Sequence, residues 1–134
     1  MRRLADEVAR ARVARLATLD SDGRPHLVPI VFALVGDTLY SAVDAKPKRS
    51  RTLRRIENAR ERPDVTVLVD RYDEDWTQLW WVRIRGRARV LDEGEEAAAA
   101  LEALTTKYSQ YHDEAPDPPV LAIQIEDWRA WSAS

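Results

Sequence analysis

The stretch that decides the fold is LWWVRIRGRARVL, residues 79–91. Apolar and charged residues alternate through it, and a period of two predicts a β-strand with one buried and one exposed face. The apolar face comprises Val82, Ile84, Ala88 and Val90, and the charged face comprises Arg83, Arg85, Arg87 and Arg89. Gly86 occupies an apolar-face position without a side chain, which indicates a bulge or the close approach of another backbone.

Two adjacent tryptophans begin this strand. Neighbouring residues of a strand point to opposite faces, so Trp80 and Trp81 cannot both lie in one core. We expect one to pack in the core, and the other to cover a planar ligand or a subunit interface.

Shorter strands and helices are predicted on both sides of residues 79–91. Hydrophobic spacing predicts helices over residues 4–11, 50–62 and 94–111, and strands over residues 13–19, 26–34, 38–43, 65–70 and 120–126. The first three strands are expected to form an antiparallel meander with its central strand buried on both faces. The proline-rich residues 115–119 are expected to form a loop. These elements predict a mainly β fold with helices (α+β): one domain over residues 1–134, built as a six-stranded, closed or partly open β-barrel.

Composition excludes several classes of site. The 134 residues contain no Cys and two His, which excludes disulfides, thiolate nucleophiles and a multi-histidine metal site. The longest apolar run, Val28–Val35, is far below the roughly 18 residues that span a membrane. The N-terminus has no apolar signal segment, so a cytoplasmic location is predicted.

The net charge of −2 conceals two opposite poles. Residues 46–62 contain eight basic residues against Glu57 and Glu61, a local charge of +6, whereas residues 92–127 are strongly acidic. The basic run lies where a strand gives way to a helix, and free N–H groups at a helix start bind anions such as phosphate. The alternative is a solvated basic helix face paired with the acidic region. Nucleic acid is not predicted as a partner, because no aromatic residues are interleaved with the charges.

No catalytic constellation is visible in the chain. His26 has no triad partners nearby, and a structural strand histidine is the favoured interpretation over a catalytic base. The chain also lacks G-x-G-x-x-G and Walker motifs, which disfavours the usual nucleotide enzymes. The catalytic residues are therefore left unassigned.

The order of several segments resembles a known superfamily. Seven segments follow one another along the chain: Ala17-Thr18-Leu19, Asp22-Gly23-Arg24-Pro25-His26-Leu27-Val28-Pro29, a Lys-Pro-Lys-Arg segment, Leu53-Arg54-Arg55, Pro63-x-Val65, Leu68-Val69-Asp70 and Val82-Arg83-Ile84-x-Gly86. This order is similar to that of the pyridoxamine 5′-phosphate oxidase-like split β-barrel flavoproteins. Asp75-Trp76 and Leu79-Trp80-Trp81-Val82-Arg83 resemble the actinobacterial subgroup that uses the deazaflavin coenzyme F420.

The resemblance implies a homodimer with a cofactor at the subunit interface and a small-molecule substrate. It implies that the cofactor phosphate is bound by Lys46, Lys48, Arg49 and Ser50, with Arg51 and Arg54 nearby, and that the ring lies near His26, Leu27, Val28, Pro29, Ala42 and Val43, with Trp80 and Trp81 as further candidates. The implied function is hydride transfer between F420 and an unsaturated or quinone-like molecule. An FMN-binding oxidoreductase of the same fold and a non-catalytic F420 carrier or sensor are the alternatives.

Overall fold

A computed structural model describes the backbone of residues 2–43 and 49–134, and the side chains of residues 4–42 and 54–134. The helices are α1 (Arg2–Arg10), α2 (Arg49–Glu61), α3 (Glu95–Lys107) and α4 (Gln110–Asp113). The strands are β1 (Ala14–Leu19), β2 (Pro25–Ile30), β3 (Ala33–Val35), β4 (Thr38–Val43), β5 (Asp64–Arg71), β6 (Trp80–Leu91) and β7 (Asp117–Ser132).

Within the described residues, seven strands form one antiparallel sheet in the order β2-β1-β5-β6-β7-β4-β3. β2 and β3 stand at its two opposite edges, although only Val31 and Phe32 separate them in sequence. Three Cα–Cα steps reach about 11 Å at full stretch. The sheet must therefore curl until its edges meet at this linker, as in a partly open barrel.

The predicted single strand over residues 26–34 is wrong. Its first half pairs with β1 and its second half pairs with β4, so the expected meander does not form and the sheet has seven strands rather than six. The break at Phe32 is stabilised by side chains in place of strand pairing. The Tyr108 hydroxyl accepts a hydrogen bond from Phe32 N at 3.1 Å, and Lys107 Nζ donates to Phe32 O at 2.9 Å.

Two boundaries in the C-terminal third also differ from expectation. β7 begins at Asp117, inside the predicted loop, and continues past residue 126 to Ser132. Its prolines fall where the β4–β7 register shifts, and a strand tolerates missing N–H donors at such a bulge. The predicted helix over residues 94–111 is split because Tyr108 adopts extended backbone angles and buries its ring.

β6 confirms the alternation in the sequence. Its apolar positions from Val82 to Ala88 are buried, while the last three of its four arginines are exposed. Gly86 confirms the predicted bulge and close approach. The β6–β7 register shifts beside it, and an added Cβ would meet the Gln124 carbonyl oxygen and lie 2.8 Å from Ile123 Cγ2.

No helix in the described part of the chain is long and apolar enough to span a membrane.

Candidate functional site

The predicted ring-binding strands come together where the sheet closes. β2 ends at Ile30 and leads into Val31, and the Ser41 hydroxyl of β4 donates a hydrogen bond to the Val31 carbonyl at 2.8 Å. Ala42, the next residue of β4, packs in a small apolar cluster that also includes Val31 and Tyr108. The seam thus joins Ser41 and Ala42 of β4 to Val31, the residue that follows β2, whereas His26, Leu27, Val28 and Pro29 lie further back along β2 and their place at the ring stays a prediction.

β2 offers both backbone and side-chain contacts along this seam. As an edge strand, it has one row of backbone groups without a strand partner among the described residues, mostly carbonyls because Pro25 and Pro29 carry no N–H. On its outer face Pro29 is exposed and Leu27 is 67% exposed. An edge of this kind can bind a flat, apolar ring that carries hydrogen-bonding groups.

The inner face of β2 carries His26. This half-buried residue stands opposite Thr18 in the β1–β2 register. Thr18 is buried and its hydroxyl accepts a hydrogen bond from Asn58 Nδ2 of α2 at 3.0 Å, which fixes α2 against β1. His26 Nδ1 is buried and has no hydrogen-bond partner among the described residues. His26 is thus a strand histidine with one unused ring nitrogen beside α2.

The predicted phosphate site falls mostly outside the described residues. Lys46 and Lys48 lie there entirely, and at Arg49, Ser50 and Arg51, as at Val43, only the backbone is described. That backbone begins α2 at Arg49, so the 13-residue helix starts within the basic run.

Arg54 is exposed on the same helix, close enough to Asp20 to affect its pKa. Asp20 begins the β1–β2 turn, where its Oδ1 accepts hydrogen bonds from Asp22 N and Arg24 N, each at 2.9 Å. The hydrogen bond from the Arg24 N–H, helped by the charges of Arg24 and Arg54, holds the pKa of this carboxyl below its usual value. α2 therefore passes beside the start of β2.

The two tryptophans occupy opposite faces of β6, as predicted. Trp80 is 9% exposed and packs in the core, and its contact with a ring stays a prediction. Trp81 is partly exposed on the outer face, with the Arg83 guanidinium 5.6 Å from its ring centroid. Strand pairing places Trp131, which is 45% exposed, directly beside Trp81.

The arginine face of β6 is partly neutralised within the chain. Arg89 forms a bidentate pair with Glu96, both contacts being 2.9 Å, and Tyr40 Oη donates to the same carboxylate at 2.7 Å. These hydrogen bonds, those from Arg89 foremost, lower the pKa of Glu96 to about 2. Arg87 pairs with Asp64 at 3.3 Å, and on α2 Arg60 pairs with Asp92 at 3.0 Å. That last pair joins the basic helix to the acidic region.

A family model for pyridoxamine 5′-phosphate oxidase matches residues 2–132. The chain belongs to the pyridoxamine 5′-phosphate oxidase family. The resemblance noted from the sequence motifs is thereby confirmed at the level of the family, and the F420-using subgroup stays a prediction. No curated protein sequence matches the chain.

Solved structures share this family's fold with the chain. A conserved hypothetical protein from Mycobacterium tuberculosis superposes with a TM-score of 0.77 at 21% identity, covering 98% of this chain and 84% of that one. The heme storage protein HutZ from Vibrio cholerae gives 0.76 at 14% identity, covering 98% and 92%. An FAD-binding protein from Mesorhizobium loti gives 0.70 at 24% identity, covering 97% and 93%. At such identities the likeness establishes the fold alone.

Sequence reasoning missed a second feature of this family member, a cleft of about 450 Å³ beside the seam. Arg12, Val31, Tyr108, Gln110 and Tyr111 line it. These residues come from three separate stretches of the sequence and form no motif, so no local pattern could have found them. Only the β2–β3 linker and the break between α3 and α4 bring them together. The described residues contain no group of three or more His, Asp or Glu side chains placed to hold a metal ion.

Proposed function

We propose that this family member is an oxidoreductase that binds coenzyme F420 between two copies of the chain and reduces or oxidises a small unsaturated molecule. The observation that carries the proposal is the seam where β4 meets the residue that follows β2, in a chain whose next helix after β4 begins within a basic run. Membership of a family of flavin-dependent oxidases supports it, and so does a structural neighbour described as FAD-binding.

The residues of the seam suit a tricyclic ring. The free edge of β2 supplies backbone carbonyl acceptors for the N–H groups of such a ring, whereas Pro25 and Pro29 contribute no N–H donor. Leu27 and Pro29 supply exposed apolar surface next to that edge.

The charge of the basic run favours F420 over FMN. F420 carries a phosphodiester and an oligoglutamate tail, whereas FMN carries one phosphate. A local charge of +6 over residues 46–62 exceeds what a single phosphate requires. Phosphate and carboxylate groups bind well to Arg, Lys and the free N–H groups of a helix start.

When bound, the deazaflavin supplies hydride transfer at its C5, and the chain's own residues bind and orient it. The strand edge fixes the plane of the ring, and the basic run fixes its charged tail. The apolar side chains on β2 exclude water from the ring. This division of labour accounts for the absence of a catalytic triad from the sequence.

The dimer is part of the proposal, because the outer face of the sheet carries an apolar patch. We call Leu27, Pro29, Leu68, Trp81 and Trp131 the outer patch. Strand register puts Pro29, Arg15 and Leu68 in one row, and Trp81 beside Trp131 on the same face. Exposed apolar side chains grouped on one face, here with Arg15 among them, are typical of interaction sites. A second copy covering them would enclose the edge of β2.

The decisive experiment is titration of the purified chain with F420 and, separately, with FMN, following cofactor fluorescence and thermal stability. F420 should bind more tightly than FMN. Lys48→Ala combined with Arg49→Ala should weaken F420 binding by roughly a hundredfold, since each charge-assisted hydrogen bond contributes about 1.5–3 kcal/mol. The matched control is Arg10→Ala combined with Arg71→Ala, which removes the same charge from exposed positions that pair with Glu7 and Asp73.

Each outcome separates the alternatives. If the chain bound FMN more tightly than F420, the FMN-binding oxidoreductase would replace the F420-dependent one as the proposed function. If it bound neither cofactor, both proposals would be refuted. Turnover requires that reduced F420 be oxidised only when protein and acceptor are both present. Binding without turnover in that assay identifies a carrier or sensor. Light scattering that shows only a monomer at micromolar concentration would refute the interface site.

A further inference from the structure

The cleft beside the seam is flanked by two cations that have no carboxylate partner. Arg12 lines it, and its Nη2 donates to the Lys107 carbonyl at 3.0 Å. Lys107 lies next to it, with Nζ 3.8 Å from the Phe32 ring centroid. Among the described residues, neither side chain has a carboxylate oxygen within 4.0 Å, although seven ion pairs form elsewhere.

Two adjacent positive charges without a counter-ion are unfavourable, more so where solvent is partly excluded. Burial, and then the charge of Arg12, lower the pKa of Lys107 to about 8. No nearby acid opposes this shift. An anion in the cleft would relieve the repulsion between the two cations.

The walls of the cleft favour an organic anion over an inorganic one. The Tyr108 and Tyr111 rings meet edge to face, with centroids 6.1 Å apart, and Val31 adds an aliphatic wall. The Arg12 guanidinium already stacks 4.5 Å from the Tyr108 centroid, which orients its N–H fork. A guanidinium presents parallel donors that match the two oxygens of a carboxylate. A volume of about 450 Å³ lies within the range of small-molecule sites.

We propose that this cleft binds a small planar carboxylate, with the carboxylate on the Arg12 guanidinium and the ring against Tyr111 and Val31. The inference stands on the cleft alone and does not require the proposed cofactor. It adds a ligand site to the family fold and assigns it the chemistry of an aromatic or conjugated carboxylic acid.

The test is calorimetric titration of the purified chain, without cofactor, using benzoate, its neutral analogue benzamide and inorganic phosphate. Benzoate should bind at least roughly tenfold more tightly than either. Arg12→Gln should weaken benzoate binding by roughly tenfold or more, the value of one charge-assisted hydrogen bond. The matched control, Arg10→Gln, changes an exposed arginine two residues away that does not line the cleft, and should leave benzoate binding unchanged.

A second variant keeps the test independent of any folding defect at Arg12. Gln110→Glu places a negative charge at an exposed lining position, at the start of a helix where Glu is tolerated. It should weaken benzoate binding and leave benzamide unaffected. If benzoate and benzamide bound equally well, the proposal that the ligand is an anion would be overturned. If phosphate bound as tightly as benzoate, the proposal that the ligand is a planar organic acid would be overturned. If neither Arg12→Gln nor Gln110→Glu changed the affinity for benzoate, benzoate would not bind in this cleft and the proposal would be wrong. These outcomes are independent of F420 affinity, so the two proposals fail separately.

Discussion

Replacing Gly86 by alanine should be among the most destabilising single changes in the sheet. Gly86 does not need a positive φ, so the cost is purely one of space. The added Cβ would overlap the Gln124 carbonyl oxygen and lie 2.8 Å from Ile123 Cγ2, where ordinary carbon contacts are about 3.5–4.0 Å. A backbone oxygen cannot rotate away, so β6 and β7 must separate.

The expected loss in the free energy of unfolding can be worked out from the cost of separating β6 from β7. Overpacking a well-packed site costs about 1–3 kcal/mol, and each weakened ladder hydrogen bond costs about 1 kcal/mol more. With one or two such bonds affected beside the bulge, Gly86→Ala should lower the free energy of unfolding by about 3–4 kcal/mol. In a chain of this length that corresponds to a fall in melting temperature of roughly 10 °C.

Urea denaturation followed by tryptophan fluorescence measures this loss, and Gly23→Ala is the control. Gly23 has φ of +80° but open space around its would-be Cβ, so alanine there incurs only the left-handed backbone cost of about 1–2 kcal/mol. Gly86→Ala should therefore cost more than Gly23→Ala, despite its unstrained backbone. The reasoning is refuted if Gly86→Ala costs less than about 1 kcal/mol, or less than the control.

Three further predictions concern the rest of the molecule. Arg89 lowers the pKa of the Glu96 carboxyl from 4.5 to about 2, so the stability that the ionised carboxylate contributes is present above pH 4.5 and is lost as the pH falls toward 2. Because the side chain is 41% exposed, the protein should lose about 1 kcal/mol of stability in this pH window. Glu96→Gln should abolish that part of the pH-dependent change in the urea midpoint. Tyr108→Phe should cost about 1–3 kcal/mol in urea unfolding, because the buried Phe32 N–H loses its acceptor. Leu68→Glu should raise the dimer dissociation constant at least roughly tenfold by sedimentation, while an unchanged constant would remove the outer patch from the interface.

Local sequence patterns predicted two kinds of element: strands with a clear alternation of apolar and polar residues, and turns held by hydrogen bonds between residues close in sequence. Residues 79–91 alternate over a full strand, and one face of that strand is buried as a result. The turn at Asp20 was predictable from its residue types, because Asp side chains accept hydrogen bonds from nearby backbone N–H groups. The family could also be predicted, since it depends on the order of such segments.

The break between β2 and β3 could not be predicted from local pattern. Val31 and Phe32 are β-branched or aromatic residues, which are typical strand formers. Pro29 nearby is compatible with an edge strand and does not by itself predict that the strand breaks two residues later. What stops the strand is the Tyr108 hydroxyl, contributed from 76 residues away. The cleft was missed for the same reason, because long-range contacts alone assemble its walls.

Three of the four β6 arginines differ in how they are paired, and the difference bears on the proposed dimer. Arg87 and Arg89 are neutralised within the chain by Asp64 and Glu96. Arg83 has no ion pair among the described residues, and its Nε is buried without a hydrogen-bond partner. An unsatisfied buried donor on a charged group is costly, and native folds rarely leave one unpaired. Arg83 lies on the same face as the outer patch and is partly exposed, so a carboxylate from a second copy of the chain would pair with its guanidinium charge and cover the same face, while the buried Nε would stay out of that copy's reach.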